Sequence, residues 1–360
     1  MRGEGSGWTY AKAGVDEGKV SKALSGVWKM LIETFDFRKG RKAHPLNVIG
    51  HYAGLLDVGT DVLLALHVDG VGSKVLVAQM LNKYDTVGID LVAMHANDLI
   101  SIGAEPVALV DYLAVKEPDE QLIQEVMKGV VEGAKIARMC VIGGETAVLP
   151  DVITGYESGK PFDLSGMSLG VVERDKVILG DKVEVGDAVI GLASSGIHSN
   201  GLTLARRVLF EEAKIPPSAY IEELRKTLGE ELLTPTRIYV DEVLSILESG
   251  IEVHGLAHIT GGAFTKLKRI SRGRVRIRLD KMPEPQPIFK MIQRLGNVET
   301  EEMYRTFNMG IGFVIVAPRR EIENISSVLE EKRTTYYVLG RVESGSDIVI
   351  RAYDGTLIVF

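Results

Sequence analysis

Apolar and polar positions alternate along the chain so that short strands end in glycines and amphipathic helices lie between them. Residues 63–68 are apolar apart from His67 and lead directly into Asp69-Gly70-Val71-Gly72-Ser73-Lys74, which is typical of a buried strand entering a tight loop. The same order of strand and glycines predicts loops at Gly143-Gly144-Glu145-Thr146 and at Thr260-Gly261-Gly262. The pattern predicts further helices near 20–31, 90–102 and 121–139, and further strands at 107–115, 187–193, 275–279, 311–316, 336–339 and 348–351.

The loop that follows the strand at 63–68 has the residue types of a triphosphate and metal site. Asp69 is predicted at the carboxyl end of the strand, while Gly70 and Gly72 let the backbone approach a ligand and turn its N–H groups outward. Lys74 supplies a charge that can reach phosphate oxygens, and a carboxylate beside it suits magnesium held together with phosphate. The spacing of a Walker A loop occurs nowhere in the chain.

The predicted helix at 90–102 carries acids on one stripe. Asp90 and Asp98 lie two turns apart, with Asn97 beside them, and a cation shared with phosphate would give both acids a purpose. The alternative for Asp90 is a plain helix N-cap, and Asp98, well inside the helix, suits that alternative less.

Other polar stretches leave two interpretations open. Residues 194–201 place small hydroxyl residues, glycine and His198 before a helix, which suits a monophosphate and equally an N-cap. Glu145 is interpreted as facing a ligand rather than as an ordinary loop acid, whereas His258 taken alone is better explained as a core histidine. The basic stretch 35–45 is either a solvated loop or a flap over the triphosphate site. The basic run 266–281 is interpreted as a half-buried strand with a solvated face.

Length and composition restrict the class of protein. With 360 residues the chain can form two domains, and a net charge of −7 argues against nucleic acid as the main partner. Cys140, the single cysteine, excludes an internal disulfide and a multi-cysteine zinc site and favours a reducing compartment. No apolar run is long enough to span a bilayer and the first twelve residues are too polar for a signal peptide, so we expect a cytoplasmic protein without membrane contact.

Taken together, these motifs resemble the phosphoribosylformylglycinamidine cyclo-ligase family, also called aminoimidazole ribonucleotide synthetase. The matching stretches run in family order through nearly the whole chain: 10–16, 69–74, 88–94, 97–99, 103–106, 143–147, 194–201, 234–239, 258 with 260–262, and 302–308. The resemblance implies an α/β (α+β type) protein with an ATP- and metal-binding domain over 1–172 and a substrate domain over 173–360, each a mixed sheet with helices. It further implies a homodimer whose N-terminal domains pair into a barrel, with ATP bound near the interface.

The implied reaction converts formylglycinamidine ribonucleotide and ATP into aminoimidazole ribonucleotide, ADP and phosphate, by phosphorylation of the formamide oxygen. Our assignment places magnesium on Asp69 and Asp98, and Lys74 on the phosphates, with Asp90 and Asn97 orienting ligands or the ribose. Glu145 and His258 are alternative bases for ring closure. The remaining candidates are Gly70, Gly72, Ser73, Gly143 and Gly144 for ATP, and Ser195, His198, Ser199, Asn200, Thr260, Gly261 and Gly262 for the substrate.

Some positions depart from the family pattern, and rival functions remain. Ser73 replaces a threonine, Ile197 stands where proline is expected, and Ala263 stands where a third glycine is expected. The rivals are another ATP-dependent enzyme of the same superfamily, most plausibly a small-molecule kinase, and a non-catalytic nucleotide-binding scaffold.

Overall fold

The computed structural model describes residues 7–46, 48–156 and 159–360, which form two mixed sheets with helices packed against them. The first sheet has the strand order β1-β2-β3-β6-β4-β5, in which only β4 and β5 run parallel. Its strands are β1 (His44–Pro45), β2 (Gly54–Asp57), β3 (Val62–Gly70), β4 (Glu105–Val115), β5 (Cys140–Val148) and β6 (Phe162–Glu173).

The described residues of the first half of the chain contain five helices. They are α1 (Glu17–Ser25), α2 (Val27–Glu33), α3 (Lys74–Leu81), α4 (Asp85–Ile100) and α5 (Glu120–Ala137), and a 3₁₀ turn covers Thr34–Arg38. α4 is buried along almost its whole length, because it lies between the first sheet, α5 and the second half of the chain. α1 and α2 form an N-terminal arm on which none of the described side chains is buried.

Glycines set the distance between α4 and α5. A Cβ atom on Gly88 would lie 2.3 Å from the Val126 carbonyl oxygen, and one on Gly129 would lie 2.0 Å from the Asp85 carbonyl oxygen. The two helices therefore touch backbone to backbone, which fixes the position of α4 along its axis. This contact explains why the motif Gly88-Ile89-Asp90 begins with glycine.

The second sheet has the strand order β10-β12-β7-β13-β11-β14-β15 and packs against α4 from the opposite side. Its strands are β7 (Ala188–Ala193), β10 (Gly255–His258), β11 (Arg276–Leu279), β12 (Ile311–Ala317), β13 (Tyr336–Glu343), β14 (Ile348–Arg351) and β15 (Leu357–Val359), and β8 (Tyr220–Ile221) pairs with β9 (Lys226–Thr227). The helices are α6 (Leu202–Arg206), α7 (Leu228–Leu232), α8 (Val240–Glu248), α9 (Lys268–Ser271), α10 (Pro287–Gly296), α11 (Thr300–Thr306) and α12 (Ile322–Glu331). A π-helical turn follows α6 at Arg207–Glu212, and 3₁₀ turns cover Arg174–Lys176, Ala263–Leu267 and Arg319–Glu321.

The structure confirms most predicted elements and corrects one. The strand ending at Asp69 and Gly70, the buried helix carrying Asp90 and Asp98, and the strand at Arg276–Leu279 are all present. The loop predicted at Gly143-Gly144-Glu145 is wrong, since all three residues continue β5 and pair with β4. Glycine marked a loop in the sequence, but here its small size admits the neighbouring strand: a Cβ on Gly144 would lie 2.2 Å from the Asp111 carboxylate.

Candidate active site

A cavity of about 860 Å³ lies where the end of β3 meets the loops of the second half and the N-terminal arm. The described lining includes, from the predicted set, Asp69, Gly70, Gly72, Ser73, Asp98, Ser199, Asn200, Thr260 and Gly261. Residues before the arm, one residue of the arm and residues after it complete the wall: Tyr10, Val15, Trp28, Phe35, Pro45, Leu46, Val48 and Tyr52. Of the basic stretch 35–45 only the two ends, Phe35 and Pro45, line the cavity, so its role as a flap stays a prediction.

Asp98 is the centre of the polar wall of this cavity. Its Oδ1 lies 2.7 Å from His258 Nδ1, and its Oδ2 lies 3.1 Å from His67 Nε2. Burial alone would raise the pKa of Asp98, but the charge of His67 and the hydrogen bonds of both histidines outweigh burial and hold that pKa well below its ordinary value. Asp98 is therefore a permanent anion facing the cavity.

The neighbouring groups respond to the same charge. Burial and the charge of Asp98 raise the pKa of Asp69. For His67, burial acts to lower the pKa, but the charge and hydrogen bond of Asp98 raise it above its ordinary value. The two carboxylates and the imidazole thus form one electrostatically coupled cluster.

Behind His67 lies a second histidine that the sequence analysis did not select. His95 Nδ1 is 3.2 Å from His67 Nδ1 and 3.0 Å from the Ser168 hydroxyl. Burial and the charge of His67 lower the pKa of His95 to about 3, so His95 is neutral near pH 7. Neither histidine has a motif signal, because His67 reads as an interruption of an apolar strand and His95 as one polar residue on a buried helix.

The structure places Lys74 on Asp90 rather than in the cavity. Lys74 is 0% exposed, and its Nζ donates to Asp90 Oδ1 at 2.8 Å and to the Thr234 carbonyl oxygen at 2.7 Å. Burial lowers the pKa of Lys74 and the charge of Asp90 opposes that effect. A contact between Lys74 and phosphate stays a prediction, and it would require this buried ion pair to open.

Asp90 joins the two halves of the chain. Besides Lys74, its Oδ1 accepts from the Thr236 backbone N–H at 2.7 Å, the Thr236 hydroxyl at 2.6 Å and the Ser199 hydroxyl at 3.1 Å. We call this set of contacts the Asp90 clasp. Asn97, two helical turns after Asp90 in α4, similarly donates to the Arg237 carbonyl oxygen and accepts from the Tyr239 N–H. Direct roles of Asp90 and Asn97 toward a ligand stay predictions, since both side chains are buried on protein partners.

The loop 194–201 combines exposed and buried residues. The Ser195 hydroxyl donates to the Pro235 carbonyl oxygen, and Asn200 donates to the Thr306 carbonyl oxygen. His198 is 3% exposed with a φ of 65°, and its Nε2 accepts from the Ser195 N–H at 3.2 Å. Burial lowers the pKa of His198 well below its ordinary value, which keeps the ring neutral. Ser199 and Asn200 border the cavity, so they retain the best geometry for a substrate contact.

The second glycine loop lies opposite Asp69. Thr260 and Gly261 line the cavity, while Gly262 has a φ of 79° and Ala263 a φ of 41°. Ala263 thus occupies a left-handed conformation in which glycine is favoured, and it is fully buried. The departure from the family pattern at this position keeps the loop conformation at a cost in backbone strain. Ile197, the other departure, is also buried.

The two candidate bases lie outside the cavity wall. Glu145 is exposed on β5, which is separated from β3 by β6 and β4, or by about 14 Å at the usual strand spacing. His258 is fully buried and reaches the cavity through Asp98. Their roles in ring closure stay predictions, and Gly143 and Gly144 share the position of Glu145.

Lys266 and Arg269 are cations of the cavity that the sequence analysis missed. Both line it, and the Arg269 guanidinium lies 4.6 Å from the Tyr52 ring centroid. Burial and then the charge of Arg269 lower the pKa of Lys266, while the charges of Asp98, Glu17 and Asp69 oppose that effect. The interpretation of 266–281 as a half-buried strand with a solvated face is therefore correct for β11. It is wrong for residues 266–271, which are helical and were not separated from the strand that follows.

The donor set at the cavity fits a divalent cation. One ligand atom each from His67, Asp69 and Asp98 lies within 4.8 Å of the others. Two carboxylates are hard oxygen ligands of the kind that magnesium prefers.

In the part of the chain that the structure describes, no helix has the length and apolar character needed to cross a membrane.

Comparison with known proteins gives the family. The family model "AIR synthase related protein, N-terminal domain" matches residues 50–172, and "AIR synthase related protein, C-terminal domain" matches residues 184–352. A phosphoribosylformylglycinamidine cyclo-ligase of Pyrococcus furiosus is 51% identical over 96% of this chain and 98% of the relative. The chain belongs to the phosphoribosylformylglycinamidine cyclo-ligase family. The namesake from Methanocaldococcus jannaschii is 48% identical over 94% of this chain and 93% of its own length.

Membership of this family accounts for the two sheets. A thiamine-monophosphate kinase from Stenotrophomonas maltophilia has the same fold, with a TM-score of 0.61, 19% identity, and coverage of 88% of this chain and 94% of the kinase. At that identity the likeness extends to the fold alone. The resemblance to the cyclo-ligases, first seen in motifs, is therefore confirmed, as is the predicted two-domain α+β architecture, whereas the boundary at 172/173 stays a prediction.

Proposed function

We propose that this chain is an ATP-dependent cyclo-ligase that converts formylglycinamidine ribonucleotide to aminoimidazole ribonucleotide with release of ADP and phosphate. The observation that carries the proposal is near-full-length identity of 51% to a cyclo-ligase. The cavity supports it, because the carboxyl groups of Asp69 and Asp98 and the cationic side chains of Lys266 and Arg269 line one space. We further propose that the enzyme acts in the cytoplasm, consistent with its single exposed free thiol, Cys140.

The reaction explains why both signs of charge are needed. The formamide oxygen attacks the γ-phosphorus of ATP, the bond to the bridging oxygen breaks, and ADP leaves. An amidine nitrogen then attacks the activated carbon, phosphate leaves with the former formamide oxygen, and loss of a proton completes the ring. Both steps depend on holding reacting atoms in line and on neutralising phosphate charge.

The residues divide this work between the two halves of the chain. Asp69 and Asp98 would hold magnesium, which when bound neutralises phosphate charge. Lys266 and Arg269 are placed to bind phosphate oxygens by charge-assisted hydrogen bonds. The backbone at Gly70 and Gly72 and the hydroxyl of Ser73 border the same space. Ser199, Asn200, Thr260 and Gly261 face it from the second half and would orient the ribonucleotide.

We also propose that the chain forms a homodimer through the uncovered face of the first sheet. Alternate residues of β3, β4 and β6 point away from the helices and are exposed, among them Val68 (71% exposed), Val107, Tyr112 and Met167. β5 adds Val141, Ile142 (70% exposed) and Val148 at an edge that pairs with no further strand in the described sheet. An apolar face of this kind is typical of an interface, and pairing would make the barrel implied by the family. It would also bring Glu145, Gly143 and Gly144 of β5 to the partner subunit.

The decisive experiment follows both products of each candidate reaction. The full chain is incubated with magnesium-ATP and formylglycinamidine ribonucleotide, and aminoimidazole ribonucleotide and phosphate are measured. We expect one of each per ADP. Phosphate release without aminoimidazole product would overturn the proposal. Formation of ADP with thiamine monophosphate instead would favour a kinase, and no turnover with either substrate would favour a nucleotide-binding scaffold.

A further inference from the structure

The geometry points to a mixed nitrogen–oxygen cation site in which His67 Nε2 is a third ligand beside Asp69 and Asp98, so that the site prefers Mn²⁺ and similar first-row ions to Mg²⁺. This inference rests on the proposed function only in placing a divalent cation at the two carboxylates. It adds a ligand and an ion preference that magnesium chemistry with oxygen ligands alone would not give.

The distances suit ligands that share one ion. His67 Nε2 and Asp98 Oδ2 are 3.1 Å apart, joined by a hydrogen bond whose proton an ion bound to both atoms would replace. Two neighbouring ligands of an octahedral ion at bond lengths near 2.1 Å are separated by about 3.0 Å. The donor atoms of His67, Asp69 and Asp98 all lie within 4.8 Å of one another, so a small inward movement closes the set. The cavity beside them leaves room for water and phosphate oxygens to complete the coordination.

His67 is oriented as metal-binding histidines are. The Nε2 atom of His67 faces the carboxylates. Its Nδ1 lies 3.2 Å from His95 Nδ1, which can accept a hydrogen bond from the Nδ1–H. A second group that takes the remaining N–H fixes both the tautomer and the ring plane of a metal ligand. The T-shaped packing of the two rings, with centroids 5.1 Å apart, holds that orientation, and Ser168 supports His95 from β6.

Asp98 is likewise held from behind. His258 Nδ1 donates to Oδ1 at 2.7 Å, which leaves Oδ2 on the side of His67 and the cavity. His258 Nε2 lies 3.4 Å from the Asn97 amide nitrogen, so it points into the protein. The set available to an ion is therefore one imidazole nitrogen and two carboxylates, which together balance a divalent charge.

The chemistry of this set determines the ion. An imidazole nitrogen favours first-row transition ions, of which Mn²⁺ is the hardest and the weakest binding, over magnesium, which is bound almost entirely through oxygen. Loss of His67 should therefore weaken Mn²⁺ binding while leaving Mg²⁺ binding nearly unchanged. A histidine that only braces Asp98 would give no such difference, because any shift of Asp98 would affect both ions alike.

The test uses Mn²⁺ as a paramagnetic probe of the full-length protein. Mn²⁺ affinity is measured by electron paramagnetic resonance, and Mg²⁺ affinity by competition, for the wild type, for His67→Asn and for the control His44→Asn on exposed β1. We expect His67→Asn to weaken Mn²⁺ binding by about 10-fold or more and to change the Mg²⁺ affinity by less than about 3-fold. The control should match the wild type, and melting curves verify that each variant is folded.

Pulsed electron paramagnetic resonance of the wild type supplies a measurement that needs no variant. With Mn²⁺ and the non-hydrolysable analogue AMPPCP, we expect ¹⁴N coupling from His67 together with ³¹P coupling from the nucleotide. Phosphorus without nitrogen coupling would overturn the role of His67 and leave the proposed function intact. Nitrogen coupling that persists in His67→Asn, or equal weakening of both ions, would also overturn it. Nitrogen coupling in a protein without cyclo-ligase turnover would support the site and contradict only the proposed function.

Discussion

Asp98 is a buried anion whose two carboxylate oxygens each contact a histidine. Removing its charge is therefore the single substitution that we expect to disturb the site most. Asp98→Asn removes the charge and can accept a hydrogen bond at only one position. We expect kcat for cyclisation to fall by about 100-fold or more, and the dependence of the rate on magnesium concentration to flatten. The measurement is initial rate against magnesium concentration for both proteins.

The matched control for this substitution is Asp61→Asn, which makes the same chemical change at an exposed position in the turn between β2 and β3. It should retain the wild-type rate and metal dependence. A variant Asp98→Asn with an unchanged rate and an unchanged magnesium requirement would remove Asp98 from the metal site.

His198 gives the protein a pH dependence of stability. Burial holds its folded-state pKa well below the value of about 6.5 in the unfolded chain. Above pH 6.5 the ring is neutral in both states and contributes no slope. Below pH 6.5 the unfolded state takes up a proton that the folded state refuses, so the free energy of unfolding falls by up to about 1.4 kcal/mol per pH unit.

Urea unfolding between pH 7.5 and 4.5 measures this slope. His198→Asn, which tolerates the left-handed backbone, should show a shallower fall below pH 6.5 than the wild type. The exposed His44→Asn should follow the wild-type curve. Parallel curves for wild type and His198→Asn would show that His198 is protonated in the folded protein.

The residues of the site differ in how far their roles could be predicted from sequence. The position of Asp69 and Asp98 at the cavity was predictable, because a carboxylate after a strand and another inside a buried helix are unusual without a ligand, whereas their role as metal ligands stays a prediction. Lys74 and His67 were not, since each depends on a partner brought close by folding: Asp90 from α4 for Lys74, and Asp98 from α4 for His67. A lysine after a glycine loop can pair with a phosphate group or with a carboxylate such as Asp90, and only the tertiary structure determines which.

At the scale of elements, the turn formed by Ala263–Leu267 and α9 is the cationic side of the cavity. We expect Lys266→Met and Arg269→Met each to raise the KM for ATP or for the ribonucleotide by about 10- to 100-fold, because each removes a hydrogen bond to a charged phosphate. Steady-state kinetics with each substrate varied in turn identifies which phosphate each cation binds.

Lys268→Met is the control for this pair, because Lys268 lies in the same turn but is exposed and does not border the cavity. Its KM values should equal those of the wild type. Equal effects at all three positions would mean that the turn contributes only general positive charge.

Elements were predictable where periodicity alone determines them and not where glycine had two possible meanings. α4 follows from its apolar pattern, and its glycine at position 88 fits the contact with α5. Gly143 and Gly144 gave the same signal as the loop at Gly70 and Gly72, yet they continue β5, since the parallel pairing with β4 is a long-range contact that no local pattern shows.

At the scale of the whole molecule, the exposed apolar face of the first sheet predicts self-association. Ile142→Asp places a charge on that face, and we expect it to convert a dimer to a monomer, because burying an unpaired carboxylate costs more than the interface gains there. Sedimentation equilibrium measures the mass. Val131→Asp, an equally exposed apolar position on the outer side of α5, should remain dimeric. A wild-type monomer at all concentrations would contradict the proposed interface.

The arrangement of the two halves was predictable from the resemblance, whereas the contacts between them were not. The motifs 10–16 and 302–308 are 286 or more residues apart in sequence, yet the Tyr10 N–H donates to Glu302 at 2.7 Å. The local sequence pattern of the two motifs gives no sign of this long-range contact. Because Tyr10 lines the cavity, this contact connects the 302–308 motif to the cavity wall.

The Asp90 clasp has a consequence for the traffic of ligands. Asp90 Oδ1 accepts three hydrogen bonds from Ser199 and Thr236 of the second half. Lys74, which is paired with Asp90 inside the first half, also donates to the Thr234 carbonyl oxygen, so separating the halves would break four buried polar contacts together. Opening of the two domains therefore costs too much free energy to be the way in which products leave. The N-terminal arm has no buried side chain among those described and borders the same cavity. We expect nucleotide and product to exchange past the arm while the two halves stay closed.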